Sequence, residues 1–145
     1  MTNNEYQNYV NKKSPNSKII KDIFWAFLIG GIICILGQIL FDSFSSLDLN
    51  EELSGTATSI SLILLSCILT GLGIYDKIAK TAGAGTIVPI TGFANSVVSP
   101  AMEFKSEGLI LGLAAKMFII AGPVLVYGIT SSMVAGLYYY ILSLF

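Results

Sequence analysis

The sequence predicts an all-α integral membrane protein, with four to five transmembrane or re-entrant helical segments and a broken, Gly/Pro-rich segment at its centre. Three observations lead there. Of 145 residues, 54% are hydrophobic and 12% charged, against about a quarter charged in soluble domains. The charges gather in clusters, leaving long uncharged runs between them. The lysines also sit asymmetrically about those runs, as in chains oriented by the positive-inside rule. So apolar a composition excludes disorder. Eight basic residues, all lysine, face nine acids for a net charge of −1, so no basic stripe serves nucleic acid. There is no histidine, which removes the commonest metal ligand and general base. Neither a metal nor a cofactor is expected.

The chain divides into a polar, cytoplasmic-side segment, residues 1–22, and a membrane domain, residues 23–145. The first holds Lys12, Lys13, Lys18 and Lys21. Ile23–Phe41 then offers nineteen residues without a charge, roughly 28 Å as a helix and close to the hydrocarbon thickness. That exceeds the roughly 7–15-residue apolar core of a cleavable signal, so an anchored helix is expected. An acidic connection, Asp42–Gly55, leads to a second uncharged run, Thr56–Tyr75, closed by Asp76, Lys77 and Lys80. Lysines before the first run and after the second, with none between, put the N-terminus and the Lys77–Lys80 region on the cytoplasmic side. Trp25 and Tyr75 are expected at that interface. Asp76, Lys77, Glu103, Lys105 and Glu107 form the charge cluster expected there.

Both runs are two-faced at 100° per residue. In the first, Gly30, Gly31, Cys34, Gly37, Gln38 and Phe41 share a small, polar side. Ile29, Ile32, Ile33, Leu36, Ile39 and Leu40 form a side suited to lipid. In the second, Ser59, Ser66, Thr70, Gly73 and Lys77 oppose Leu64, Leu65, Ile68 and Leu72. Small faces let helices approach closely in lipid, so these stripes serve either as packing seams or as parts of a path. Gln38 marks a protein- or water-facing position, because a mid-span amide needs partners. Cys34 and Cys67 form no C-x-x-C pair and are expected to pack as small thiols.

The stretch between Lys80 and Glu103 is long enough to cross but is interrupted by Gly83, Gly85, Pro89, Gly92 and Pro100. Proline removes a donor and restricts the residue before it, and each glycine weakens a helix. Irregular backbone at membrane depth survives where it is buried in protein or lines a cavity. Gly83, Gly85, Pro89 and Gly92 are therefore the candidate break or gate. Gln38, Thr86, Thr91, Asn95, Ser96 and Lys116 are the candidate path-lining side chains. A kinked span is the alternative. Gly108–Phe145 would reach roughly 57 Å as one helix, nearly two membrane thicknesses. It is expected to turn, at Gly122-Pro123 or Gly128–Ser132, or to extend beyond the bilayer. Its one charge, Lys116, falls in line with Gly108, Gly112 and Pro123. It faces other helices or snorkels to an interface.

Tyr75-Asp76, Ala82-Gly83-Ala84-Gly85, the block Val88–Ser96 and Glu103–Gly108, together with Gly30–Cys34 and Gly37-Gln38, resemble the SpoVA family. The likeness runs from about Ile23 to the C-terminus. It implies an integral protein of the inner membrane of the spore or forespore, belonging to an assembly that moves dipicolinic acid, with calcium, into the developing spore and out at germination. It implies sister SpoVA membrane subunits and a soluble, thiolase-like subunit as partners. No catalytic residue follows, and carboxylates confined almost entirely to loops give a membrane enzyme no support.

The chemistry fits that implication. Dipicolinate is a planar dianion, costly to take into hydrocarbon, and needs a polar path. Donors in the central stretch and one ammonium at Lys116 would lower the barrier without trapping the ion. So few short segments can hardly encircle a pyridine ring, so a homo- or hetero-oligomer is expected. Two other readings stay open. One is a scaffold that recruits the soluble partner through Met1–Asp22 and Asp42–Gly55. The other is a tension-gated pore of broad selectivity.

Overall fold

A computed structural model describes residues 2–13 and 18–144. Met1 and residues 14–17, part of the expected N-terminal segment, lie outside the described residues, as do the side chains of Asn11 and Lys12. Every regular element among the described residues is helical. They run in the order α1 (Asn3–Lys13), α2 (Ile19–Ser45), α3 (Glu51–Gly71), α4 (Tyr75–Ala82), α5 (Ala84–Ile87), α6 (Ile90–Glu103) and α7 (Ala115–Ser143). A 3₁₀ turn, Lys105–Glu107, and a π turn, Leu109–Ala114, join α6 to α7.

Three helical stretches are long and apolar enough to cross a membrane: Ile19–Ser45, Glu51–Gly71 and Leu109–Ser143. The helices between α3 and the last stretch have 8, 4 and 14 residues, and even the longest rises only about 21 Å. The last stretch does not turn. Helix continues through Gly122-Pro123 and Gly128–Ser132, because membrane helices satisfy the backbone group a proline frees by local adjustment. That removes the breaks named there and leaves the other expectation, a helix longer than the bilayer.

The α2–α3 connection is shorter than Asp42–Gly55 suggested. Gln38 Nε2 donates to Asp42 Oδ1 at 2.8 Å, keeping Asp42 inside α2. Asn50 caps α3 by accepting the Leu53 N–H at 2.8 Å. Glu51 and Glu52 occupy the first turn of α3, where the helix dipole favours acids. At the other end of α3, Gly73 takes φ +66. The Ile74 N–H reaches the Leu69 carbonyl and the Gly73 N–H the Thr70 carbonyl. This Schellman closure needs a residue free to adopt the left-handed region. The chain reverses there, so the long helix ends at Gly71 and Tyr75 opens α4 instead of closing the uncharged run as one helix.

The direction of the next segment follows from its hydrogen bonds. Ser66 pairs with Thr91 and Thr70 with Asn95, the same order along both helices, so α6 runs parallel to α3. The chain between them, α4 and α5, carries it back. Glu103 therefore projects past the end of α3, towards the side where Asp76 and Lys77 begin α4.

Candidate functional site: a hydroxyl knot at the helix elbow

Helix α4 is strongly two-sided. Tyr75 and Ala82 are buried and Ile78 and Ala79 half-buried, while Asp76, Lys77, Lys80 and Thr81 are exposed. Its buried face presses Tyr75 under the elbow formed by α5 and the start of α6. The Tyr75 hydroxyl lies 2.9 Å from the Thr86 carbonyl oxygen and 3.0 Å from Thr91 Oγ1. A phenol has one proton and the carbonyl can only accept. Tyr75 therefore donates to Thr86 and receives its second bond from the Thr91 hydroxyl.

Around this pair the remaining groups close a network. Ser66 Oγ donates to the Thr91 carbonyl at 2.6 Å, and Thr86 Oγ1 to the Gly83 carbonyl at 3.0 Å. Thr70 Oγ1 lies 2.7 Å from the Ser66 carbonyl and 2.8 Å from the Asn95 side-chain oxygen. One proton serves both only if Asn95 turns its amide nitrogen towards Thr70. Tyr75 is 4% exposed, Thr86 1% and Thr91 5%. Among the described residues no buried side-chain nitrogen or oxygen lacks a partner, which is what burial of so many polar groups demands.

Glycine makes the elbow possible. A methyl group at Gly85 would overlap the Ala26 carbonyl oxygen and stand 2.8 Å from the Ala26 Cα, so α5 lies backbone to backbone on α2. A methyl group at Gly92 would overlap the Thr86 carbonyl oxygen, the acceptor of the Tyr75 bond. Gly83 takes φ +51 and ends α4. Pro89, extended at φ −66 and ψ 160, caps α6, where its missing N–H is no loss.

The candidate path residues thus separate. Thr86, Thr91 and Asn95 meet in one knot, the two hydroxyls and the amide engaged by the protein itself. Ser96 is half-buried and donates to the Phe93 carbonyl at 2.7 Å. Gln38 is exposed and apart from them; its amide is satisfied by Asp42 one turn along, so it needs no protein interior. On α2 the expected faces are partly exchanged. Cys34 is exposed, whereas Ile29, Ile33 and Leu40 are half-buried, because the seam follows Ala26, Gly30, Ile33 and Gly37, the row that meets α5 and Leu62. Helix α3 matches expectation, with Ser66 and Thr70 buried and Leu64, Leu65 and Ile68 exposed. Lys116 is half-buried, its ammonium 3.8 Å from the Phe104 ring centroid. This cation–π contact sits beside Gly112, where a methyl group would overlap the Phe104 carbonyl oxygen. Asp76, Lys77, Glu103, Lys105 and Glu107 are all exposed. What sequence reasoning missed at Tyr75 is its burial and its hydrogen bonds to Thr86 and Thr91. Its signal was the Gly73 two positions earlier, a helix stop that turns the ring inward.

Three long apolar helices, with polar groups gathered where the short helices meet, define an integral membrane protein. The SpoVAC/SpoVAEB sporulation membrane protein family matches residues 22–138. Stage V sporulation protein AC of Bacillus subtilis (strain 168) is 46% identical over 140 residues, covering 94% of this chain and 93% of that protein. The chain belongs to the SpoVAC/SpoVAEB family of sporulation membrane proteins, as the motifs between Tyr75 and Gly108 suggested. No solved structure is detectably similar.

Proposed function

We propose that the chain is a conducting or gating subunit of a SpoVA-type assembly that moves dipicolinate, with calcium, across the inner membrane of the forespore. The observation that carries this reading is the elbow. A segment whose backbone reverses twice, and whose outgoing helix runs parallel to α3, enters and leaves on one side. It is re-entrant, and it brings hydroxyls and an amide to a depth where hydrocarbon would otherwise exclude them. Re-entrant, broken helices are a recurring way to build transport sites.

On this reading the knot is the closed state of the path. Thr86, Thr91 and Asn95 are held against Tyr75 and α3, and opening the knot releases their donors towards the anion, with Lys116 supplying positive charge. The family relationship supports a sporulation role. The distal half of α7, exposed from Pro123 to Leu144, supports assembly with further copies or with sister subunits, and a soluble thiolase-like subunit would dock on the lysine-rich side.

The test is flux. The chain, alone and with its sister subunits, is reconstituted in vesicles loaded with calcium dipicolinate, and release is followed by terbium luminescence outside. Release above protein-free vesicles, raised further by Tyr75→Phe, is the expected result. Release that requires the sister subunits and is indifferent to Tyr75 would overturn the gating role and leave a scaffold.

A further inference from the structure

Beside the knot, between α2 and α3, lies a cavity of about 280 Å³ whose wall presents no polar surface. Ile29, Ile33, Leu62, Leu69, Tyr75 and Ile78 line it. Ser66 and Thr91 also border it, but their polar atoms are engaged within the knot. We infer that this cavity is a binding site for one acyl chain of a bilayer phospholipid.

Three observations select that occupant. The first is continuity: Ile32, Leu36 and Leu65, which border the cavity, are themselves exposed, so its rim merges with the lipid-facing surface of two spanning helices. The second is depth. The α2 residues involved, Ile29 to Leu36, lie midway along Ile19–Ser45, level with tails and away from headgroups and water. The third is chemistry. A wall without charge or free hydrogen-bond groups rejects a dianion such as dipicolinate, which would lose its hydration and gain nothing. Hydrocarbon loses nothing there. A cavity of about 150 Å³ already holds benzene, so this one has room for a longer aliphatic guest, and a filled cavity regains the dispersion contacts an empty one forfeits. The seated tail touches Tyr75, which borders the cavity. The site does not depend on what the assembly conducts.

The full chain is reconstituted in phosphatidylcholine vesicles containing a phosphatidylcholine with a diazirine midway along one acyl chain. After irradiation, adducts are mapped by mass spectrometry at several protein-to-lipid ratios. The inference expects adducts on Ile29, Ile33 or Leu69 as well as on outward-facing Leu64 and Ile68. It also expects Ile33→Phe, and separately Leu69→Phe, to lose most of the inner adducts while keeping the outer ones. Adducts confined to Leu64 and Ile68 would overturn it. So would inner adducts that disappear as protein is concentrated, because the occupant would then be a second copy.

Discussion

At the scale of single residues, Tyr75 joins three helices through one oxygen. Tyr75→Phe keeps the buried ring and deletes that oxygen, leaving the Thr86 carbonyl and the Thr91 hydroxyl without their partner. Interhelical hydrogen bonds in membranes contribute roughly 0.6–2 kcal/mol. A loss of about 1–2 kcal/mol is expected, read as a lower midpoint when the purified protein is unfolded by titration with a denaturing detergent. Thr91→Val breaks the same contact from the other side. The double variant should therefore cost less than the sum of the singles, by about 0.5–1 kcal/mol; strict additivity would show that the two hydroxyls do not interact. Lys116 makes a separate prediction. Its ammonium rests on the Phe104 ring, and under the proposed conducting role it offers charge to a passing anion. Removing even about 1 kcal/mol of attraction slows passage roughly fivefold. Lys116→Gln should lower dipicolinate flux by about that factor and leave the flux of a neutral solute of similar size unchanged.

At the scale of elements, the elbow stands on two glycines whose missing side chains are occupied by backbone. Gly85→Ala forces α5 off Ala26, and Gly92→Ala forces α6 off the Thr86 carbonyl. Overpacking costs about 1–3 kcal/mol where side chains can yield, and here the obstructing atoms are main chain. Either substitution should lower the yield of folded protein after mild heating, whereas Gly31→Ala, with open space around the added methyl group, should behave as the parent. This division between local and distant causes also explains what the sequence made legible. The two-faced α3 and the three long apolar stretches depend on periodicity and run length, which are visible in a window of residues. Helix ends at Gly83 and Pro89 follow from the backbone preferences of those residues. Pro100 and Pro123 have the same preferences yet lie within helices, because the surrounding chain, and not the proline, decides whether a helix stops. The Tyr75 partners lie 11 and 16 positions along the chain, beyond any local rule. The exchange of faces on α2 has the same origin, since it is α5 that selects which side of α2 is covered.

At the scale of the whole molecule, the three stretches long and apolar enough to cross and the proposed re-entrant segment together predict a sidedness for the chain. By the positive-inside rule, the lysine distribution is expected to put the N-terminus and the start of α4 on the cytoplasmic side. If α6 returns to the side where α4 began, as the re-entrant reading has it, the stretch Leu109–Ser143 crosses outward and three crossings set Thr2 and Ser143 on opposite faces. The competing arrangement, in which the central segment crosses, gives four crossings and returns the C-terminal end to the cytoplasmic side. Single cysteines at Thr2 and Ser143, both exposed, introduced in a chain with Cys34 and Cys67 replaced by alanine, separate the two. In sealed, right-side-out vesicles, a membrane-impermeant maleimide should label Ser143→Cys at once and Thr2→Cys only after the bilayer is permeabilised. Equal protection of both positions would require the central segment to cross, and α6 could not then run parallel to α3. The result therefore bears directly on the register of Ser66 with Thr91 and of Thr70 with Asn95. Those two hydrogen bonds set α6 parallel to α3, and the proposed re-entrant path of the central segment rests on that geometry.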